Sequence, residues 1–250
     1  MTEDFYRRDL TGARFEEVDL SGSWWRNIYL RDVVMRGMWL ENVDIDAGVR
    51  NVTINGVDVG PLIEAELDRR DPDRVLIRAE TADEFRAGWA MTERRWAATI
   101  AHARTLPEEM LHTRVRDEWS FIETLRHLVF ATDAWVLRVY LGDPWPYHPL
   151  GLPFTEMEEI PGIPNDPDAR PSLDEIVAVR ESRFAVVREV MAGLSDDRLA
   201  GTTDPVEGPG YPAPDRYAVT RALGAILHEE WLHREYAERD LAVLESRPGA

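Results

Sequence analysis

The chain has 250 residues, 47 acidic against 29 basic side chains, a net charge of −18 and no cysteine. That length holds one large domain, or a medium domain with an appendage, and 44% hydrophobic residues supply a real core. The missing cysteine excludes disulfides, a thiolate nucleophile and Cys-ligated metal, and the acidity argues against a nucleic-acid backbone as partner. Every basic residue is arginine, which also excludes Schiff-base and P-loop lysine chemistry. No apolar run reaches the length of a membrane span, and the first residues lack the apolar stretch of a secretory signal. The expectation is a cytoplasmic protein without membrane association.

From Leu10 a bulky apolar residue recurs at every fifth position: Phe15, Leu20, Trp25, Leu30, Met35, Leu40 and Ile45. Neither a helix nor a flat strand has that period, whereas a square β-solenoid with four five-residue sides does. The positions two earlier, Val18, Ile28, Val33, Met38 and Val43 among them, supply a second inward row. Residues 1–60 resemble the pentapeptide-repeat family, which implies a short right-handed β-solenoid of two to three coils at roughly twenty residues each. Its expected role is a structural cap or docking module on the rest of the chain.

Residues 61–80 form a charged connector with room for a short helix before Asp71 and Pro72. The periodicity then becomes helical. Thr81 to Glu84 reads as a capping box opening a helix that carries Phe85, Trp89, Thr92, Trp96 and Ile100. A second box, Ser120 to Glu123, opens an almost wholly apolar helix through about Leu141. A third, Ser172 to Glu175, opens a helix stopped at Gly193, and a fourth helix runs from about Tyr217 to Leu244. The expected fold class is therefore α+β, a β-solenoid followed by a four-helix bundle over 81–250. Residues 142–170, with seven prolines and Trp145, Tyr147, His148 and Phe154, make a connection long enough to be functional. Trp89, Trp96 and Trp135 are expected in the core, His102 and His112 on the surface.

In the fourth helix the run from Leu227 to Tyr236 places carboxylates and imidazoles on an otherwise apolar face. At about 100° per residue, Glu229 lies about 40° from His233, whereas His228 falls about 140° away. The paired ligands are then Glu229 and His233, not the two histidines. His127 stands alone in the apolar second helix, where a single histidine is more often a satisfied core residue than a ligand. A bundle that faces the second and fourth helices would join it to Glu229 and His233 as three convergent ligands with open positions.

Trp119-Ser120, Leu125-Arg126-His127-Leu128 and the Glu229-to-His233 spacing resemble the DinB superfamily of metal-binding four-helix bundles, over roughly residues 81–246. The resemblance implies a divalent metal held by one histidine of the second helix and a His-x-x-x-His of the fourth. Glu229 departs from that pattern at the first position. It is similar in this to the branch typified by mycothiol-dependent maleylpyruvate isomerase, where His, Glu and His hold zinc. Zinc is the first expectation, with iron(II) and nickel as alternatives, because two histidines and a carboxylate suit several divalent ions.

The expected function is metal-dependent transferase, isomerase or hydrolase chemistry on a small molecule, with a low-molecular-weight thiol as the cosubstrate that the resemblance implies. His148 as part of a lid, Tyr236 as a pocket hydroxyl and Asp240 as a buttress are supporting candidates. A proline-rich surface loop, a core tyrosine and an Arg239 to Asp240 surface pair are the plain readings. Two alternatives remain: a non-catalytic metal-binding or protein-interaction module, and non-haem iron(II) oxidation. A homo-oligomer is compatible with either.

Overall fold

The computed structural model describes residues 4–247, and the chain divides into two compact units between Val49 and Arg50. In the first unit the five-residue rhythm is present in the backbone: positive φ recurs at Arg7, Gly12, Glu17, Gly22, Asn27, Asp32, Gly37 and Asn42. Two of these bends are reinforced by Asx turns, in which Asp9 and Asp19 each accept a backbone N–H, from Thr11 and Ser21, at 2.9 Å.

The expected β-solenoid does not form. No strand occurs among the described residues of this unit. The row meant to point inward is open, from Leu10 at 44% exposed to Ile45 at 70%. A five-residue period specifies a turn at every fifth residue, but a solenoid also needs successive coils to pair their backbones and bury the shared row. About two coils leave almost no interior to bury. The described chain is accordingly mostly helical with one two-stranded hairpin, which replaces the α+β expectation.

The second unit begins with that hairpin, β1 (Thr53–Ile54) paired antiparallel to β2 (Val57–Asp58). Asn55 and Gly56 both take positive φ between them, as a two-residue type I′ turn requires. Helix α1 (Gly60–Arg70) and a 3-10 segment (Pro72–Arg78) occupy the connector. They are tied together by Arg74 and Arg78, which pair with Glu64 and Asp68. α2 (Ala82–Ala103), a single turn α3 (Glu108–Leu111), α4 (Phe121–Thr132), α5 (Leu173–Gly193), a single turn α6 (Asp196–Leu199) and α7 (Val219–Glu245) follow. α4 runs on without a break as a π-helix over Asp133–Tyr140.

The three expected capping boxes are all present. Thr81, Ser120 and Ser172 each accept the N–H of Glu84, Glu123 and Glu175, and each glutamate reaches back to the cap. α4 packs on both α5 and α7, and α2 packs on the same two, so α2 and α4 are diagonal in a four-helix bundle. Between them Phe85, Trp89 and Trp96 meet Ile122, Leu125, Leu128, Ile176, Phe184, Val187, Leu223 and Ile226. The Trp89 and Phe184 rings meet edge-on at 4.9 Å. A Cβ on Gly88 would lie 3.0 Å from the Leu76 carbonyl and 3.2 Å from Leu227, so only glycine lets α2 approach this closely.

Two buried arginines staple the long connections to the bundle. Arg126 donates to the carbonyls of Leu150, Asp166 and Ala169, and Arg138 to those of Pro144, Val206 and Gly208. Their guanidiniums satisfy loop carbonyls that would otherwise be buried without partners. Residues 142–170 are thereby held across α4, with Phe130, Tyr147 and Ile163 packed beneath.

Candidate metal centre

α4 and α7 bring His127, Glu229 and His233 together, with one ligand atom of each within 4.8 Å of the others. Glu229 Oε2 lies 3.5 Å from His127 Nε2 and 3.1 Å from His233 Nε2. The Glu229-to-His233 step is one helical turn, as their spacing requires, and the bundle supplies His127 from the facing helix. His127 is tethered from behind: its Nδ1 sits 3.0 Å from the Leu152 carbonyl. A carbonyl only accepts, so Nδ1 carries a proton and Nε2 is the nitrogen that faces Glu229. Two imidazole nitrogens with one carboxylate oxygen are the donor set of a divalent ion.

Burial disfavours the ionised Glu229 carboxylate, but His127 and His233 outweigh it and hold its pKa far below the usual range. Burial also lowers the His233 imidazole, with Glu229 opposing. Glu229 is thereby held as the carboxylate that can ligate, and burial favours the neutral form of His233. Trp119 covers the pair, its ring 4.5 Å from that of His127 and 5.8 Å from that of His233. The two imidazoles are themselves 4.7 Å apart, and Tyr236 meets His233 edge-on at 5.9 Å.

Glu229 also forms part of the wall of a cavity of about 840 Å³, together with Trp135, Tyr211, Arg221 and His228. His228 is outside the ligand group but faces this cavity. Trp135, expected in the core, is only partly buried and lines it too. The reason is the π-helix: its wider turns rotate residues after Thr132 away from the 3.6-residue phase read in the sequence.

The remaining candidates are placed as follows. His148 lies in the loop over α4, where its Nδ1 accepts the Leu150 N–H and its backbone N–H donates to the buried Asp133. Its ring is not one of the clustered donors. Asp133 also takes Arg183, which opposes the upward push of burial on its carboxyl. Asp240 pairs with Arg239. His102 is exposed and beside Glu245.

Tyr211 and the Leu152 carbonyl escaped the sequence reading because both come from loops. The Tyr147 hydroxyl fixes Tyr211, donating to its carbonyl at 2.7 Å and accepting its N–H at 2.8 Å. The tryptophan of Trp119-Ser120 was visible as sequence, but its place over both imidazoles was not.

A four-helix bundle in which two histidines and a glutamate converge is a helical protein with a group that could hold a metal ion. Residues 91–237 match the DinB superfamily, and the chain belongs to it. No curated protein and no solved structure matches the chain.

Proposed function

We propose that the protein is a metal-dependent enzyme in which His127, Glu229 and His233 hold one divalent ion, zinc in the first instance, for thiol-dependent transfer or isomerisation of a small molecule. The observation that carries this reading is the open side of the cluster. Three donors converge, and one of them, Glu229, is also a wall of the cavity. A structural zinc site is closed by four protein ligands, whereas a catalytic one keeps a position free. Among the described residues the group contains three.

When bound, the ion supplies Lewis acidity and lowers the pKa of a thiol or water brought to it. The chain's own groups do the rest. Leu152 fixes the tautomer of His127, and Glu229 contributes negative charge that moderates the ion's acidity. Trp119 packs against both imidazoles and shields them from water. The chain has no cysteine, so a thiol would come from a small molecule, and a mycothiol-like cosubstrate is the one we propose. No helix among the described residues is long and apolar enough to cross a membrane. We place the activity in the cytoplasm, where such thiols stay reduced.

The test is metal analysis of protein purified without added metal, followed by titration with zinc and with iron(II). About one ion per chain in the wild type and none in His233→Ala supports the reading, and the preferred ion separates zinc chemistry from iron(II) oxidation. Equal metal content in both proteins overturns it. A further titration with low-molecular-weight thiols, followed by absorbance of the cobalt-substituted protein, reads the cosubstrate directly.

A further inference from the structure

The cavity beside Glu229 carries a second recognition element, on the same helix and two turns away. Arg221, Gly224, His228 and Glu229 line it at spacings of three, four and one, a single stripe along α7. A Cβ on Gly224 would meet nothing within 4 Å, so the stripe is open between its ends. Eight residues of helix separate Arg221 from Glu229, about 12 Å of rise.

Arg221 is set apart from the other arginines of this unit. The acidic chain uses most of them as ion-pair partners or loop staples. Across the cavity, Arg78 is committed to Glu64 and Asp68. The Arg221 guanidinium makes neither a hydrogen bond nor an ion pair with the described residues. Instead it is held over two aromatic faces, 5.4 Å from the Tyr217 ring and 6.0 Å from the Trp135 ring. Stacking fixes the plane of a guanidinium and leaves its N–H edge free for a planar, bidentate acceptor. Tyr211 lines the same cavity. Burial raises its phenol most, Glu229 raises it further, and Arg221 lowers it.

Building on the metal-centre reading, we propose that Arg221 is a specificity residue that binds a carboxylate of the substrate, so that the cavity takes a small organic acid with its reacting atom at Glu229. The carboxylate and the reacting atom are then separated by roughly the two-turn span of the stripe, less the reach of the arginine side chain. The carboxylate belongs either to the thiol cosubstrate or to its electrophilic partner, and both present the same chemistry to Arg221.

Calorimetric titration of the zinc-loaded protein tests this with two matched pairs of probes, 6-mercaptohexanoate against 6-mercaptohexanol, and adipate against adipamide. The wild type should prefer the acid of at least one pair by about tenfold or more, the worth of a charge-assisted hydrogen-bonded pair. Arg221→Gln should abolish that preference, Arg221→Lys should retain only part of it, and the neutral probes should bind all three proteins alike. A preference confined to the thiol pair assigns the carboxylate to the cosubstrate, and one confined to the adipate pair assigns it to the electrophile. No preference in either pair, or a preference that survives in Arg221→Gln, overturns the proposal. Zinc titrations of wild type and Arg221→Gln come first. Equal zinc binding shows the metal centre intact in the variant. A wild type that binds no zinc removes the metal reading, and the adipate pair on metal-free protein then decides on Arg221 alone.

Discussion

Glu229 and Glu230 are consecutive on α7, yet they live in opposite environments. Glu229 sits at a cavity wall with two imidazoles and an ionised carboxylate held far below its usual pKa. Glu230 has no exposed side-chain surface and meets Arg180 at 2.7 Å, while Arg180 in turn stacks over Trp96 and Phe184. Burial pushes the Glu230 carboxyl up despite that arginine, and its Oε1 has no hydrogen-bond partner. A rotation of about 100° along the helix separates a group available for chemistry from one locked into the bundle. Residue type was the same; the neighbouring helix made the difference.

The largest effect expected from breaking this contrast is Glu230→Ala, which strands a buried guanidinium and should cost about 3–5 kcal/mol in urea denaturation. Replacing Glu230 and Arg180 together by methionine should recover most of that loss, because neither charge is then left unpaired. Glu229→Gln should do the reverse. Its zinc affinity should fall by more than about a hundredfold, as expected when a ligand matters at least as much as its outer-shell supports. The metal-free protein should lose less stability than Glu230→Ala costs, because glutamine keeps the shape of the side chain and leaves no fully buried charge unpaired. If both glutamate variants lose stability alike, the assignment of separate roles is wrong.

Glu123 sharpens the comparison with a carboxylate that serves a helix end. Burial pushes it up, but Arg114 and the Ser120 N–H prevail and lower its pKa from the ordinary 4.5. A depressed folded-state pKa contributes stability fully present above about that unfolded value and lost as pH falls through the folded one. Glu123→Gln should therefore cost about 1–2 kcal/mol at pH 7, and its denaturation midpoint should converge on the wild type in acid. The smallest effect belongs to Thr81→Ala at the exposed cap of α2, about 1 kcal/mol with zinc binding unchanged.

Much of the bundle was legible because its signals are local. A capping box spans three residues, so Thr81, Ser120 and Ser172 announced three helices within a residue of their starts. α7 begins at Val219, two residues after the expected point, on Ala218, which has no side-chain cap to announce it. The meeting of Glu229, His233 and His127 followed from helical phase and the pairing of two helices. Trp135 was misplaced because a π-helix changes the phase. The cradle of Leu152 and Tyr211 was invisible, since loops pinned by Arg126 and Arg138 bring it together.

The N-terminal unit shows the same boundary from the other side. The five-residue rhythm of the sequence has a counterpart in the positive φ at Gly12, Gly22 and Gly37, but rhythm alone could not close the coils or bury Leu20 and Leu30. By itself the sequence determined which way each side chain points within its own element, because sterics and capping act over a few residues. Only the tertiary structure decided what each side chain meets: a cavity for Glu229, an arginine for Glu230, and solvent for the apolar row before residue 50. Burial and charge pairing need a second segment, and its arrival is not written in the spacing of the first.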